Sequence, residues 1–190
     1  MKKLKFEWNI PNLLSLVRLA LIPVFSVLYL NSENNTPYLI WSLAVLLLSG
    51  VTDVLDGYFA RRYNQITELG KLLDPIVDKI TQLTVLLCLA VRYKQLQVLL
   101  AICLVKELLQ IIGSILLVSR HNIVKGARWF GKVSTFTFYG AMLIVLVWPS
   151  MPETVLWVLV GIVTVTMLFS LYKYTEVYLR SRNEAVNEDQ

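Results

Sequence analysis

Apolar runs about as long as a bilayer is thick recur through this 190-residue chain, and little but short polar turns separates them. A helix rises 1.5 Å per residue, so about 20 apolar residues cross a hydrocarbon core of roughly 30 Å. Six runs come close to that length: Leu13–Leu30, Pro37–Ala60, Leu72–Val91, Leu96–Val118, Trp129–Trp148 and Val155–Leu171. In lipid each backbone polar group must find its partner inside the protein, and a helix supplies that partner within one segment. The pattern predicts an all-α, polytopic membrane protein with six transmembrane helices and no soluble domain left over.

Turn-forming stretches part the runs: 31-NSENNTP-37, 61-RRYNQITELG-70, 92-RYKQ-95, 119-SRHNIVKGAR-128 and 149-PSMPE-153. Residues 1–182 are expected to form a single membrane domain, and 183–190 a polar tail that frays. Arg18 interrupts the first run, which several others follow, so that run is expected to stay attached as a span rather than act as a cleaved signal. The start, 1-MKKLKFEWNIPN-12, mixes lysines with Phe6 and Trp8; it reads equally as a short interfacial helix before Pro11 or as a solvated tail.

Lysines and arginines set the orientation. Lys2, Lys3, Lys5, Arg61, Arg62, Lys71, Arg120, Lys125, Arg128, Lys132, Lys173, Arg180 and Arg182 fall on one side of the membrane, against Arg92 and Lys94 on the other. Both termini are therefore expected on the cytoplasmic side of the cell membrane. A formal net charge of +5 would suit nucleic acid, but the basic residues are spread through short loops between spans. Anionic headgroups or phosphorylated substrates are the partners expected, and no nucleic acid. Trp41, Trp129, Trp148 and Trp157 read as interfacial anchors. Cys88 and Cys103 fall inside apolar runs and read as small hydrophobes.

The stretch 53-DVLDGYFARRYNQITELGKLLDPIVDK-79 breaks this pattern. Residues three and four apart share a helix face, which pairs Asp53 with Asp56 near the end of the second span and Asp74 with Asp78 at the start of the third. The loop between is short, so the two helices are expected to be antiparallel neighbours whose four carboxylates converge. Unpaired, such charges repel in a partly desolvated site and favour protonation, so a cation must accompany them. Hard oxygen donors with no His or Cys nearby in the sequence suit Mg²⁺ or Mn²⁺, and four carboxylates suit two ions about 3.5–4 Å apart, the spacing that clamps phosphate oxygens. The plainer alternative is ion pairing with Arg61, Arg62, Lys71 and Lys79 at a charged helix boundary. Gly57 and Ala60 keep one face of the second helix low, for a ligand or for helix packing. Gly70 is expected to let the chain turn, and Pro75 to lie in the first turn of the third helix or to kink it.

The order Asp53-x2-Asp56-Gly57-x2-Ala60-Arg61-x8-Gly70-x3-Asp74-x3-Asp78 resembles, without departure at its eight positions, the signature of the CDP-alcohol phosphatidyltransferase family. The opening 10-IPNLLSLVRLALIPVF-25 is similar to that of bacterial phosphatidylglycerophosphate synthases and of eukaryotic-type cardiolipin synthases. The resemblance implies a six-helix membrane fold of the CDP-alcohol phosphotransferase type, commonly a homodimer, that transfers a phosphatidyl group from CDP-diacylglycerol to an alcohol and releases CMP. It assigns Asp53, Asp56, Asp74 and Asp78 to the divalent ions and Asp78 also to general base. It assigns Gly57, Ala60, Arg61 and Gly70 to the CDP-lipid.

Acceptor recognition falls outside the signature. Arg18, about 10 Å along its helix, and Lys106 beside Glu107 are charges within spans, which point to a cavity. The alternatives are snorkelling for Arg18 and pairing with Glu107 for Lys106. Arg120, Arg128 and Lys132 form a basic group suited to a dianionic acceptor, or serve only to set topology. Phosphatidylglycerophosphate synthases carry Arg-Glu where this chain has Lys106-Glu107, and a Gly-Lys pair like Gly131-Lys132; lysine offers a point charge in place of a bidentate fork. Glycerol 3-phosphate is the first choice of acceptor. Phosphatidylglycerol, as in cardiolipin synthesis, is the closest rival, followed by another polar alcohol; a divalent-cation transporter is the alternative from a different class. Gly140 and Gly161 would serve packing within one subunit as well as between two.

Overall fold

The computed structural model describes residues 9–33, 35–63, 70–121 and 129–188, and the regular structure among them is entirely α-helical. Six helices follow one another: α1 (Ile10–Leu30), α2 (Thr36–Arg62), α3 (Gly70–Arg92), α4 (Lys94–His121), α5 (Trp129–Val147) and α6 (Glu153–Glu188). Residues 1–8, with the expected interfacial segment, lie outside the described residues. Asn9 is extended and Pro11 stands in the first turn of α1, where its missing N–H removes no helix bond. Pro37 opens α2 in the same way.

Among the described residues five helices are long and apolar enough to cross a membrane: α1, α2, α4, α5 and α6. The expected span Leu72–Val91 falls in α3, which has the length, at 23 residues, but is not among those five. Asp74, Asp78 and Lys79 make its first half polar. Pro75 lies inside that helix beyond its first turn, and Pro23 lies inside α1. At the other end of the chain, α6 continues to Glu188, through most of the tail expected to fray. No glycine or proline lies between Asn183 and Glu188, where the helix continues.

The chain divides into two compact units, Met1–Leu89 and Ala90–Gln190. In the first, α1 packs along α2. The turn between them begins where Ser32 donates both its N–H and its hydroxyl to the Tyr29 carbonyl, at 3.1 and 2.7 Å. The buried stripe of α1 starts polar, with Asn12, Ser15 and Arg18, and ends apolar, with Phe25 stacked on Tyr29. The stripe of α2 runs Ser42, Leu46, Ser49, Thr52, Asp56. Small side chains let helix backbones approach closely, and the hydroxyls of Ser42 and Thr52 are satisfied by the Leu39 and Ser49 carbonyls of their own helix. Along α3, Val77, Val85, Leu86 and Leu89 are buried.

In the second unit α6 packs against both α4 and α5. Leu99, Cys103, Phe138, Met142, Val163 and Met167 are among its buried side chains. Phe130 meets Tyr174 edge-on at 4.8 Å, and Gly131 makes room beside that contact: a Cβ there would stand 2.8 Å from the Tyr174 hydroxyl. Cys88 and Cys103 are both buried, and neither forms a disulfide among the described residues. Large apolar side chains such as Val17, Leu48, Val54, Phe136 and Val165 are exposed along the helices, as lipid-facing surfaces require, and Trp41, Trp129, Trp148 and Trp157 are exposed as well.

Candidate active site

Three helices of the first unit supply the site. Asp53 and Asp56 lie one turn apart near the end of α2, Asp74 and Asp78 one turn apart near the start of α3, and Ser15 and Arg18 one turn apart on α1. The acidic residues reach inward to α1. Arg18 Nη1 stands 2.6 Å from Asp53 Oδ1 and 2.5 Å from Asp78 Oδ1, while Nη2 is paired with Asp56 Oδ2. The Ser15 hydroxyl donates to Asp74 Oδ1 at 2.6 Å.

Burial divides the cluster. Arg18 is 2% exposed and Asp56 is buried, whereas the side chains of Asp53 and Asp78 are 49% and 47% exposed. One guanidinium thus reaches the acids from the protein side, and two of its three carboxylates also face outward. A buried arginine needs such partners, because an uncompensated charge in a low-dielectric interior is very costly. Arg18 Nε is nevertheless buried without a hydrogen-bond partner among the described residues.

Arg18, expected to bind an acceptor or to snorkel, has its guanidinium held inside the protein by three carboxylates. The structure joins Asp53, Asp56 and Asp78 through that one side chain. Ser15 was missed in the sequence. The signal for both α1 residues was the three-residue spacing of Asn12, Ser15 and Arg18, which makes a polar stripe on an apolar helix. Gly57 is half-buried beside Asp56, and Gly70 is buried as the first residue of α3. The side chains of Ala60, Arg61 and Arg120, and the whole of Arg128, lie outside the described residues.

Lys106 and Lys132 belong to the second unit. Lys106 Nζ donates to Glu107 Oε1 at 2.8 Å with both side chains nearly buried, which is the pairing weighed against acceptor binding. Lys132 is exposed on the first turn of α5.

The donor set suits a hard cation. Three carboxylates from two helices turn an oxygen toward the same positively charged group, and no nitrogen or sulfur ligand is among them. Among the described residues no group of three or more acidic, His or Cys side chains is already disposed to hold a metal ion, and Asp53, Asp56 and Asp78 meet instead on the Arg18 guanidinium. The residues therefore fit Mg²⁺ or Mn²⁺ provided that Arg18 gives way.

A family model described as CDP-alcohol phosphatidyltransferase matches residues 8–170, which takes in all six helices in whole or in part. The chain belongs to the CDP-alcohol phosphatidyltransferase family. Relatives of two kinds of enzyme are among its matches. The chain is 51% identical over 85 residues to a cardiolipin synthase (CMP-forming) of Streptomyces coelicolor, covering 44% of this chain and 40% of that one. It is 51% identical over 72 residues to a CDP-diacylglycerol–glycerol-3-phosphate 3-phosphatidyltransferase of Aquifex aeolicus, covering 38% of each. A cardiolipin synthase (CMP-forming) of Homo sapiens is 45% identical over 74 residues, 38% of this chain and 23% of that one. The matches thus span less than half of each relative.

Proposed function

We propose that the chain transfers a phosphatidyl group from CDP-diacylglycerol to glycerol 3-phosphate, giving phosphatidylglycerophosphate and CMP. Phosphatidyl transfer is carried by the meeting of Asp53, Asp56 and Asp78 on one cationic group, at positions of the signature the sequence resembles, and the glycerol 3-phosphate acceptor is supported by the match to the Aquifex aeolicus enzyme. Residues 1–182 act as one catalytic domain, a reading supported by a family match that runs from 8 to 170. The lysine and arginine distribution supports a multi-pass protein of the cell membrane with both termini and the acidic cluster on the cytoplasmic side. α3 completes the six spans, with its acidic end at that surface. A homodimer belongs to the same reading, as the family resemblance implies.

Asp53, Asp56, Asp74 and Asp78 would hold two divalent ions, which neutralise diphosphate oxygens and make CMP a better leaving group. The protein does the rest by position. Gly57 leaves backbone accessible beside Asp56, and Ala60, Arg61 and Gly70 are the other candidates for the CDP moiety. The acceptor hydroxyl oxygen forms a bond to the lipid-side phosphorus as the bridging P–O bond to CMP breaks, and Asp78 takes the hydroxyl proton. Its half-exposed carboxylate supports that role, since an acceptor arriving from water can reach it and the proton can return to water. Lys106, Arg120, Arg128 and Lys132 are the candidates for the acceptor phosphate.

A second reading, cardiolipin synthesis with phosphatidylglycerol as acceptor, is favoured by the match to the Streptomyces coelicolor enzyme. The deciding experiment is CMP release from CDP-diacylglycerol by the purified protein with Mg²⁺ or Mn²⁺ and one acceptor at a time: glycerol 3-phosphate, phosphatidylglycerol, serine, inositol and inositol phosphate. Turnover with glycerol 3-phosphate is expected. Turnover with phosphatidylglycerol alone replaces the first reading by the second, and ion flux into liposomes without nucleotide would point to a transporter.

A further inference from the structure

Arg18 occupies the place at which three proposed metal ligands meet. Its guanidinium touches Asp53, Asp56 and Asp78, and a carboxylate oxygen that coordinates Mg²⁺ at about 2.1 Å has no room for a guanidinium nitrogen on the same side. The two cations also repel each other. They therefore draw on the same three carboxylates from opposite directions: Arg18 through one oxygen of each from the buried interior, an ion from the side where Asp53 and Asp78 are exposed.

We infer that Arg18 is a built-in counter-cation, a positioning residue that holds the acids of α2 and α3 together against α1 and whose hold on them a divalent ion must loosen. Two features of the contact favour exchange over a permanent lock. Nε is buried with no partner among the described residues, so the side chain does not satisfy all its donors in this position. Two of its three carboxylates are half-exposed, so solvation compensates them when the arginine withdraws, while the pair with Asp56 stays buried. The inference rests on the metal-dependent reading of the site and goes beyond it by making metal affinity a balance against one residue of the chain.

The test is Mn²⁺ binding to the full-length protein in detergent micelles, measured by calorimetry and by the free-Mn²⁺ electron paramagnetic resonance signal, with the variants Arg18→Gln and Arg18→Lys. Removing the competitor is expected to tighten Mn²⁺ binding by about tenfold in Arg18→Gln, the scale of a typical coupling between two ligands, with Arg18→Lys close to wild type. Melting in chelator should fall for Arg18→Gln, and added Mn²⁺ should raise it by more than it raises the wild type. A purely structural arginine would not tighten metal binding when removed.

A wild-type measurement stands beside this in case the glutamine variant does not fold. Labelling of Arg18 by phenylglyoxal, read by peptide mass spectrometry, is expected to be slow in chelator and several-fold faster with Mn²⁺. Unchanged or weaker Mn²⁺ binding in Arg18→Gln, or Arg18 labelling indifferent to Mn²⁺, overturns the inference and leaves the functional reading standing. A wild-type protein that binds no Mn²⁺ overturns both.

Discussion

Arg18 and Asp56 form a buried ion pair across 38 residues of sequence, in the one corner of the acidic cluster that solvent does not reach. Asp53 and Asp78 contact the same guanidinium from half-exposed positions. The three acids are therefore not equivalent, although the family signature treats them alike.

That asymmetry predicts unequal costs. Asp56→Asn removes the buried partner of a buried arginine and is expected to destabilise the metal-free protein by about 3 kcal/mol. Asp53→Asn, at an exposed position, should cost less than about 1 kcal/mol. Thermal or denaturant unfolding of both variants in micelles with chelator checks the order, and equal costs would contradict it.

Asp78→Asn separates chemistry from binding. Turnover should fall about a thousandfold, the range of a lost general base, while CDP-diacylglycerol binding stays within about threefold of wild type. CMP release and equilibrium binding are measured side by side. A variant with nearly unchanged turnover would take the base role away from Asp78.

Ser15 donates to Asp74 at 2.6 Å from a position 1% exposed, so Ser15→Ala leaves one carboxylate oxygen without its donor. The expected stability loss is about 1–2 kcal/mol. Because Asp74 is then free to rotate, the Mg²⁺ concentration for half-maximal activity should rise several-fold with little change at saturation. Titrating activity against Mg²⁺ tests this; a fall at saturation with no change in the midpoint would argue against a positioning role.

Gly131 has a steric reason to be glycine. An alanine Cβ would lie 2.8 Å from the Tyr174 hydroxyl but 3.6 Å from the nearest ring carbons. Gly131→Ala should cost about 1–2 kcal/mol through forced displacement, and adding Tyr174→Phe should recover most of it by removing the one close atom. The double-mutant cycle, read by thermal unfolding, distinguishes this from a loss of glycine flexibility, which the phenylalanine would not repair.

The helices were legible because hydropathy is a property of each run by itself. Pro11 and Pro37 marked starts that the structure places within a few residues, and the expected spans Leu13–Leu30 and Pro37–Ala60 became Ile10–Leu30 and Thr36–Arg62. α3 was the hard case: its length is right, but Asp74, Asp78 and Lys79 deny it a long apolar stretch. The helix runs to Glu188 through residues whose polar composition suggests a frayed tail, because polarity alone does not break a helix.

The sequence by itself determined that the acids come in pairs, since spacing of three and four residues decides which side chains share a face of one helix. It also showed that some cation had to join them. What only the tertiary structure decided is which one meets them in this state. Arg18 lies 38 residues from Asp56 and 60 from Asp78, and Ser15 lies 59 from Asp74. Periodicity within α1 identifies a polar stripe but carries no information about which helix that stripe will face. That choice is made by the rotation of α1 about its own axis as small side chains of α2 let the backbones close, a property of the packed helices jointly and of no segment alone.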